Sequence, residues 1–309
     1  MSDNVRRAFG LQTLIVKQEF CMNHQIKEKA AKYIFFAFAL SSILAVALIS
    51  IFIFAGGMPA LKEIGIMEFV FGTKWKPTAG TPYYGVAPMI VGSLLITLGA
   101  VIIGVPVGIF SAVFLSSFCP VRLHRLINPA VNLLAGIPSV IYGFFGIIII
   151  VPFVRNVFGG NGNSILAASI LLGIMILPTI VSVSQAAIRA VPTAYYEGAV
   201  ALGATKEQAV FKVVLPAAKS GVLAGVILGI GRSIGETMAV QMVAGNQPRI
   251  TFDATKGIRT MTTNIVLEMA EAADIHRSAL IATGALLFLF ILIINSLFFV
   301  LKRRMNSEH

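Results

Sequence analysis

The sequence predicts an all-α integral membrane protein with six transmembrane helices and both termini on the cytoplasmic side. Three observations carry this. The 309 residues are 57% hydrophobic and only 12% charged, about half the charged share of a soluble domain. Six apolar runs reach the roughly 20 residues that a helix needs to cross a bilayer: Tyr33–Phe54, Ala87–Phe118, Ala130–Val154, Ile165–Ile188, Val222–Val243 and Ala279–Leu301. Lys and Arg concentrate in alternate flanks of those runs, as the positive-inside rule describes for multi-pass proteins.

The basic residues outside the spans divide unevenly. Arg6, Arg7, Lys17, Lys27, Lys29 and Lys32 precede the first run, and Arg122 and Arg125 lie between the second and third. Arg189, Lys206, Lys212 and Lys219 lie between the fourth and fifth, and Lys302, Arg303 and Arg304 follow the last. This side holds 15 of them against 8 on the other, which makes it the cytoplasmic side. Membrane orientation thus absorbs most of the formal charge of +11. No basic, aromatic-interleaved soluble domain is present to bind nucleic acid. Cys21 and Cys119 both fall on the reducing side, where a disulfide is not expected, and no Cys/His spacing suits a metal.

Taken in order, residues 1–32 form a charged cytoplasmic segment. Its weakly amphipathic stretch Phe9–Phe20 either lies on the membrane surface or is a disordered tail. No small-residue cleavage site follows, so the first span, 33–54, is expected to stay as an anchor. Residues 55–85 make a periplasmic segment, in which the sole Trp, Trp75, reads as an interfacial anchor. Residues 86–301 form the main body. The second run is too long for one simple span, and a break at Pro106 or an interfacial turn is expected. Gly159-Gly160-Asn161-Gly162 marks a short external turn. Gly245–Arg277 is a longer external loop carrying Asp253, Glu268, Glu271 and Asp274. Residues 302–309 are a cytoplasmic tail. Pro106, Pro138, Pro152 and Pro178 favour kinks, tolerated where neighbours re-satisfy the backbone. Gly92, Ser93, Gly99, Gly104 and Gly108 permit close helix approach, equally of an internal neighbour or of a partner subunit.

The polar stretch between the fourth and fifth spans, residues 193–216, has local signals of its own. Thr193 after Pro192 can cap a short helix over Ala194–Leu202, and Gly203 suits a left-handed helix end. Thr205 with Gln208 three residues on is a capping-box pattern, starting a second helix to about Val214. Pro216 then sets the angle into the fifth span. Ala199, Leu202, Val210 and Phe211 can pack against another surface, and Glu197 can hydrogen-bond near the turn. Packing on its own domain is the competing reading.

In the fifth span, Arg232 and Glu236 are four residues apart and so share a helix face. Arg232 lies about 20 Å along the axis from Lys219 at 1.5 Å per residue, deep in a ~30 Å core. Charge at such depth costs at least ~2.5 kcal/mol per group. The two residues are either a neutralised pair locking helices together or part of an anion pathway, where a balanced pair permits passage.

Glu197-Gly198-Ala199, then Gly203, then Leu215-Pro216 resembles the E-A-A, three residues, Gly, nine residues, I-x-L-P signature of ABC-importer permeases, with Gly198 and Val213 as departures. Further segments resemble the C-type permease subunits of bacterial phosphate ABC importers: Phe71–Pro77, Tyr84–Thr97, Leu134–Gly143, Ile176–Ile180, Gly229–Val240, Ala244–Pro248 and Thr260–Met269. The resemblance covers most of the chain from about residue 33 onward. It implies a type I importer permease of MetI-like fold in the bacterial inner membrane, moving inorganic phosphate. It also implies a homologous A-type permease partner, two ATP-binding subunits and a periplasmic phosphate-binding protein. ATP and Mg would then be bound by the partner ATPase, with no cofactor and no catalytic residue in this chain. Glu197, Gly198, Ala199, Gly203, Thr205, Leu215 and Pro216 would couple to that ATPase, and Arg232 and Glu236 would take part in transport.

Rival readings are a permease for sulfate or molybdate, a secondary transporter, and a membrane enzyme. The last would need paired catalytic groups at membrane depth. Glu236 is the only acidic residue within a span, His24, His124, His276 and His309 all lie outside, and Ser139 lacks a base.

Overall fold

A computed structural model describes the backbone of residues 3–306, with side chains at 28, 31–298 and 300. Helix α1 (Asp3–Ile64) and α2 (Ile66–Phe71) precede a small antiparallel ribbon of β1 (Trp75–Lys76) and β2 (Tyr83–Tyr84). Then come α3 (Ala87–Val113), α4 (Val121–Gly136), α5 (Ser139–Phe145), α6 (Val151–Phe158) and α7 (Ile165–Arg189). The short α8 (Thr193–Ala201), α9 (Lys206–Ala209) and α10 (Leu215–Ala217) lead to α11 (Lys219–Gly235), α12 (Met238–Val243), α13 (Met261–Glu268) and α14 (Asp274–Asn306). Wider π-turns at Phe114–Phe118, Gly146–Ile150 and Val210–Val214 join successive helices.

The chain divides into two units, residues 1–55 and 56–309. In the first, apolar side chains such as Tyr33, Phe35, Ile43 and Phe52 are all exposed, the all-round apolar surface of a helix that faces lipid. The amphipathic reading of Phe9–Phe20 falls outside the described side chains.

Among the described residues, five helices are long and apolar enough to span a bilayer: Ala31–Ile64, Ala87–Phe118, Ser139–Phe158, Ile165–Arg189 and Asp274–Phe298. Lys206–Ala217 and Lys219–Gly235, which meet at a 70° bend, make a sixth candidate only when taken together. Three expected boundaries need correction. The third span starts at Ser139, not Ala130, because Ile137 and Pro138 are extended (ψ 126° and 140°). Residues 130–136 belong instead to the amphipathic α4, which has no fully buried residue. Helix α3 runs through Pro106 without a break. The fifth run is interrupted at Glu236.

The prolines explain two of the π-turns. A proline removes one donor and crowds the carbonyl four residues earlier; for Pro152 and Pro216 that carbonyl falls inside Gly146–Ile150 and Val210–Val214. Widening the turn there accommodates the ring while the helix continues.

Helix α7 forms the centre of the body, with Leu171, Leu172, Met175, Ile176 and Ile180 among its buried side chains. Apolar side chains gain little by leaving lipid, so close van der Waals packing must hold the spans together. The glycines of α3 serve this. A Cβ at Gly99 would stand 2.2 Å from Ser169 Oγ, one at Gly104 would meet Ile176, and one at Gly108 would meet Ile180. The small-residue stripe is therefore an internal seam against α7. Gly92 and Ser93 face the segment leading into α13: a Cβ at Gly92 would meet the Arg259 carbonyl, and Ser93 Oγ accepts from the Met261 N–H at 3.1 Å.

Candidate functional site

The segment 193–217 is rooted on one side and open on the other. Val210, Val214 and Ala218 are buried with Ala112, Val113, Ile188 and Val222, which ties the segment to the ends of α3 and α7. Leu202 is 92% exposed, and Tyr195, Val200 and Phe211 are exposed beside it. Ala199 is half-buried. Val210, expected on the open face, belongs to the root. Glu197, expected to hydrogen-bond near the turn, is exposed and has no partner among the described residues.

Local chemistry sets the turn. Gly203 has φ +89° with open space around it, so conformation rather than crowding requires glycine there. Thr205 and Gln208 form the capping box: the Gln208 N–H donates to Thr205 Oγ1 at 3.3 Å, and the Thr205 N–H donates to Gln208 Oε1 at 3.1 Å. Thr193 does not cap α8; Pro192 holds the cap position and Thr193 lies in the first turn. A Cβ at Gly198 would touch nothing, so its departure from Ala is sterically neutral. Leu215 and Pro216 continue the helix through α10, and the bend into α11 falls at Ala218 rather than at Pro216.

The pair Arg232–Glu236 is not formed. Helix α11 ends at Gly235, and Glu236 is extended (φ −69°, ψ 134°). Its carboxylate Oε1 accepts from the N–H groups of Thr237 at 3.1 Å and Ala239 at 3.3 Å, capping α12. An anionic group suits a helix N-terminus because the first N–H groups there lack helical partners. The Glu236 carbonyl accepts from the Thr262 hydroxyl at 3.0 Å. Arg232 is half-buried and has no hydrogen-bond or ion-pair partner among the described residues; Tyr142 of α5 lies within its electrostatic reach. Glycine again allows the approach, since a Cβ at Gly143 in α5 would meet Met242 and Ala239 of α12. The result is a free guanidinium beside a broken helix. Irregular backbone at membrane depth is tolerated where it is buried in protein or lines a cavity.

A second polar cluster joins the ribbon, the loop between α12 and α13, and α14. The carboxylate of Glu268 accepts from Trp75 Nε1–H at 2.8 Å, Arg259 Nη1 at 2.5 Å and His276 Nε2 at 2.9 Å. Arg259 also donates to the Asn246 carbonyl and to Asn264 Oδ1, both at 3.0 Å. Trp75 is 3% exposed and meets the edge of Tyr84 with centroids 5.8 Å apart. It is a buried strut, not an interfacial anchor. Sequence reading missed this cluster because Trp75 and Glu268 lie 193 residues apart along the chain and no local spacing links the members. The polar atoms Ser233 Oγ, Gln241 Oε1, Asn246 Oδ1 and Asn264 Nδ2 are buried without a protein partner among the described residues. They leave hydrogen-bonding capacity near both Arg232 and Arg259. The described residues hold no group of three metal-ligating side chains.

The family model for the inner membrane component of binding-protein-dependent transport systems matches residues 104–307. The chain is 40% identical over 287 residues to the probable ABC transporter permease protein YqgH of Bacillus subtilis, covering 89% of this chain and 92% of that one. It is 35% identical to the phosphate transport system permease protein PstC of Mesorhizobium japonicum, covering 80% of this chain and 81% of that protein. It is 32% identical to PstC of Pasteurella multocida, covering 93% and 95%. Among solved structures, an inward-facing MetNI methionine ABC transporter matches with TM-score 0.59 at 20% identity, over 71% of this chain and 95% of that one. A bacterial alginate ABC transporter matches with TM-score 0.58 at 18% identity, over 87% and 95%. These neighbours share the type I importer permease fold. With the family model matched over residues 104–307 and these relatives at 32 to 40% identity, the chain belongs to the family of binding-protein-dependent transport system inner membrane components.

Proposed function

We propose that this ABC importer permease subunit is the C-type subunit of a phosphate importer, carrying inorganic phosphate into the bacterial cytoplasm. The observation that carries the reading is mechanical. The open face around Leu202 is rooted through Val210 and Val214 and continues through the 70° bend into the helix bearing Arg232. Several relatives named as phosphate permeases, at 32 to 35% identity, support the substrate.

In this reading both termini and the segment 193–216 face the cytoplasm of a cell whose inner membrane the chain crosses. Residues 1–32 and 302–309 are cytoplasmic, 33–54 begin the spans, 55–85 are periplasmic, and 86–301 form the permease core. Two ATP-binding subunits dock below and hold the ATP and Mg; Glu197, Gly198, Ala199, Gly203, Thr205, Leu215 and Pro216 form or shape the contact. A homologous A-type permease completes the pathway, membrane lipid surrounds it, and a periplasmic phosphate-binding protein delivers the anion. Unpaired Arg232 attracts phosphate. Glu236, held in place by the α12 N–H groups, opposes tight binding, so that the ion can leave.

The test is labelled phosphate uptake by cells relying on this importer, with unlabelled competitors. Competition by phosphate but not by sulfate or molybdate is expected. Equal competition by sulfate or molybdate would reject phosphate as the substrate.

A further inference from the structure

A cavity of about 400 Å³ lies under the coupling segment, apart from Arg232 and from the exposed face around Leu202. Ser116 and Ser117 of the π-turn after α3 line it, with Arg189 at the end of α7, Thr193 and Tyr196 of α8, and Lys206 of α9. Two cationic and four hydroxyl-bearing side chains thus line one space, and among the described residues no carboxylate lines it. A preference for Lys and Arg near span ends explains the cations but not the converging hydroxyls.

The donors are only partly used. Arg189 Nη2 donates to the Leu115 carbonyl at 3.3 Å and to His124 Nε2 at 2.6 Å. A guanidinium cannot accept, so His124 Nε2 accepts and its proton sits on Nδ1. Gln185 Nε2 lies 3.0 Å from the same nitrogen, whose single lone pair Arg189 occupies. The neutral imidazole therefore orients Arg189 while leaving its Nε and Nη1 groups without a protein acceptor among the described residues. Lys206 Nζ stands 5.0 Å from the centroid of the Phe118 ring, a contact that leaves ammonium N–H groups available. Ser116 Oγ donates to the Val113 carbonyl at 3.1 Å and lies 3.2 Å from Ser117 Oγ. The hydroxyls of Thr193 and Tyr196 have no partner among the described residues. At about 30 Å³ per water in the liquid, the cavity has room for a hydrated tetrahedral anion.

We propose that this cavity binds a phosphate group, from inorganic phosphate or from an anionic lipid headgroup, bridging Ser116, Ser117 and Arg189 to Thr193 and Lys206. Such a bridge fastens the coupling segment to the ends of α3 and α7. Its regulatory meaning rests on the function proposed above, since phosphate released on that side would then act on the lever that drives its own import. The binding itself does not depend on that reading.

The test uses the full-length chain in phosphatidylcholine nanodiscs with Cys21→Ser and Cys119→Ser, and Ser117→Cys as a maleimide-reactive reporter. Thr193→Cys is a second reporter should Ser117→Cys fail to fold. Inorganic phosphate is expected to slow labelling by the factor 1 + [phosphate]/Kd, about twofold at Kd and about elevenfold at ten times Kd. Sodium chloride at matched ionic strength should not do so, and Lys206→Ala should remove the protection. Protection that is present without added phosphate, and only when phosphatidylglycerol is included, assigns the site to a lipid headgroup. Equal labelling in every condition overturns the proposal. No ATPase, ATP or transport enters this assay, so its failure is distinct from failure of the importer reading.

Discussion

Removing the Glu268 carboxylate should loosen the cluster that joins β1, the loop before α13 and α14 more than any other single side-chain deletion there. Three donors from three separate elements converge on it. The side chains are well shielded, with 15% exposure for Arg259, 21% for Glu268 and 16% for His276, so solvent screening is limited. A hydrogen bond to a charged group contributes about 1.5–3 kcal/mol, and breaking a buried ion pair by deleting one partner costs about 3–5 kcal/mol. Glu268→Ala is therefore expected to cost about 3–5 kcal/mol, because Arg259 keeps only the Asn246 carbonyl and Asn264 Oδ1. Trp75→Phe, which removes one N–H, should cost about 1.5–3 kcal/mol. In Glu268→Gln, one amide edge of the new side chain presents donors to a site built of donors. The assay is a double-mutant cycle between Trp75→Phe and Glu268→Gln, read as reversible unfolding in mixed micelles. Direct contact requires a coupling energy above about 0.5 kcal/mol. Additive effects would refute the strut.

Four further outcomes follow from the same geometry. Arg232→Gln should abolish phosphate uptake while the subunit still co-purifies with its ATPase; normal uptake would remove Arg232 from the pathway. Thr205→Ala deletes the capping box and should cost about 1 kcal/mol of local stability, seen as faster amide exchange in Lys206–Ala209 with the spans unchanged. Gly99→Val, whose Cβ would fall 2.2 Å from Ser169 Oγ, should cost about 1–3 kcal/mol or more by overpacking, measured as a lower Tm; an unchanged Tm would contradict the α3–α7 seam. The exposed Asp253 carboxyl is held down to about 2 by the Thr255 hydroxyl and N–H and by Lys256. Its folded pKa lies below the unfolded value of about 3.9, so the loop ordering it supports is intact above that value and lost as pH falls through about 2. Pepsin cleavage within 251–257 should rise over that window, and Asp253→Asn should flatten the rise.

Much of the architecture was legible because lipid imposes simple rules. Spans must be long and apolar, and Ile165–Ile188 in the sequence became Ile165–Arg189 in the structure. The turn at Gly203 and the capping box at Thr205 were readable because both are local, fixed by residues within four positions. The misreadings share a cause. Ala130–Val154 looked like one run because apolar content does not distinguish the amphipathic α4 from the span that follows Pro138. Helix periodicity placed Arg232 beside Glu236, but the free N–H groups of α12 took the carboxylate and ended the helix at Gly235. Pro216 was read as setting the angle into the fifth span, whereas the π-turn Val210–Val214 absorbs the ring and the bend falls at Ala218. Trp75 was misread because its partners Glu268 and His276 arrive from distant segments.

The central claim is that motion of the segment 193–216, driven by an ATPase, moves phosphate past Arg232. The most direct measurement is labelled phosphate uptake into vesicles holding the assembled importer, with binding protein on one face and ATP confined to the face bearing Leu202. Uptake only with ATP on that face, and its loss in the Arg232→Gln complex, is the expected result. Uptake that proceeds equally without ATP, or an assembly that contains no ATPase, would contradict it.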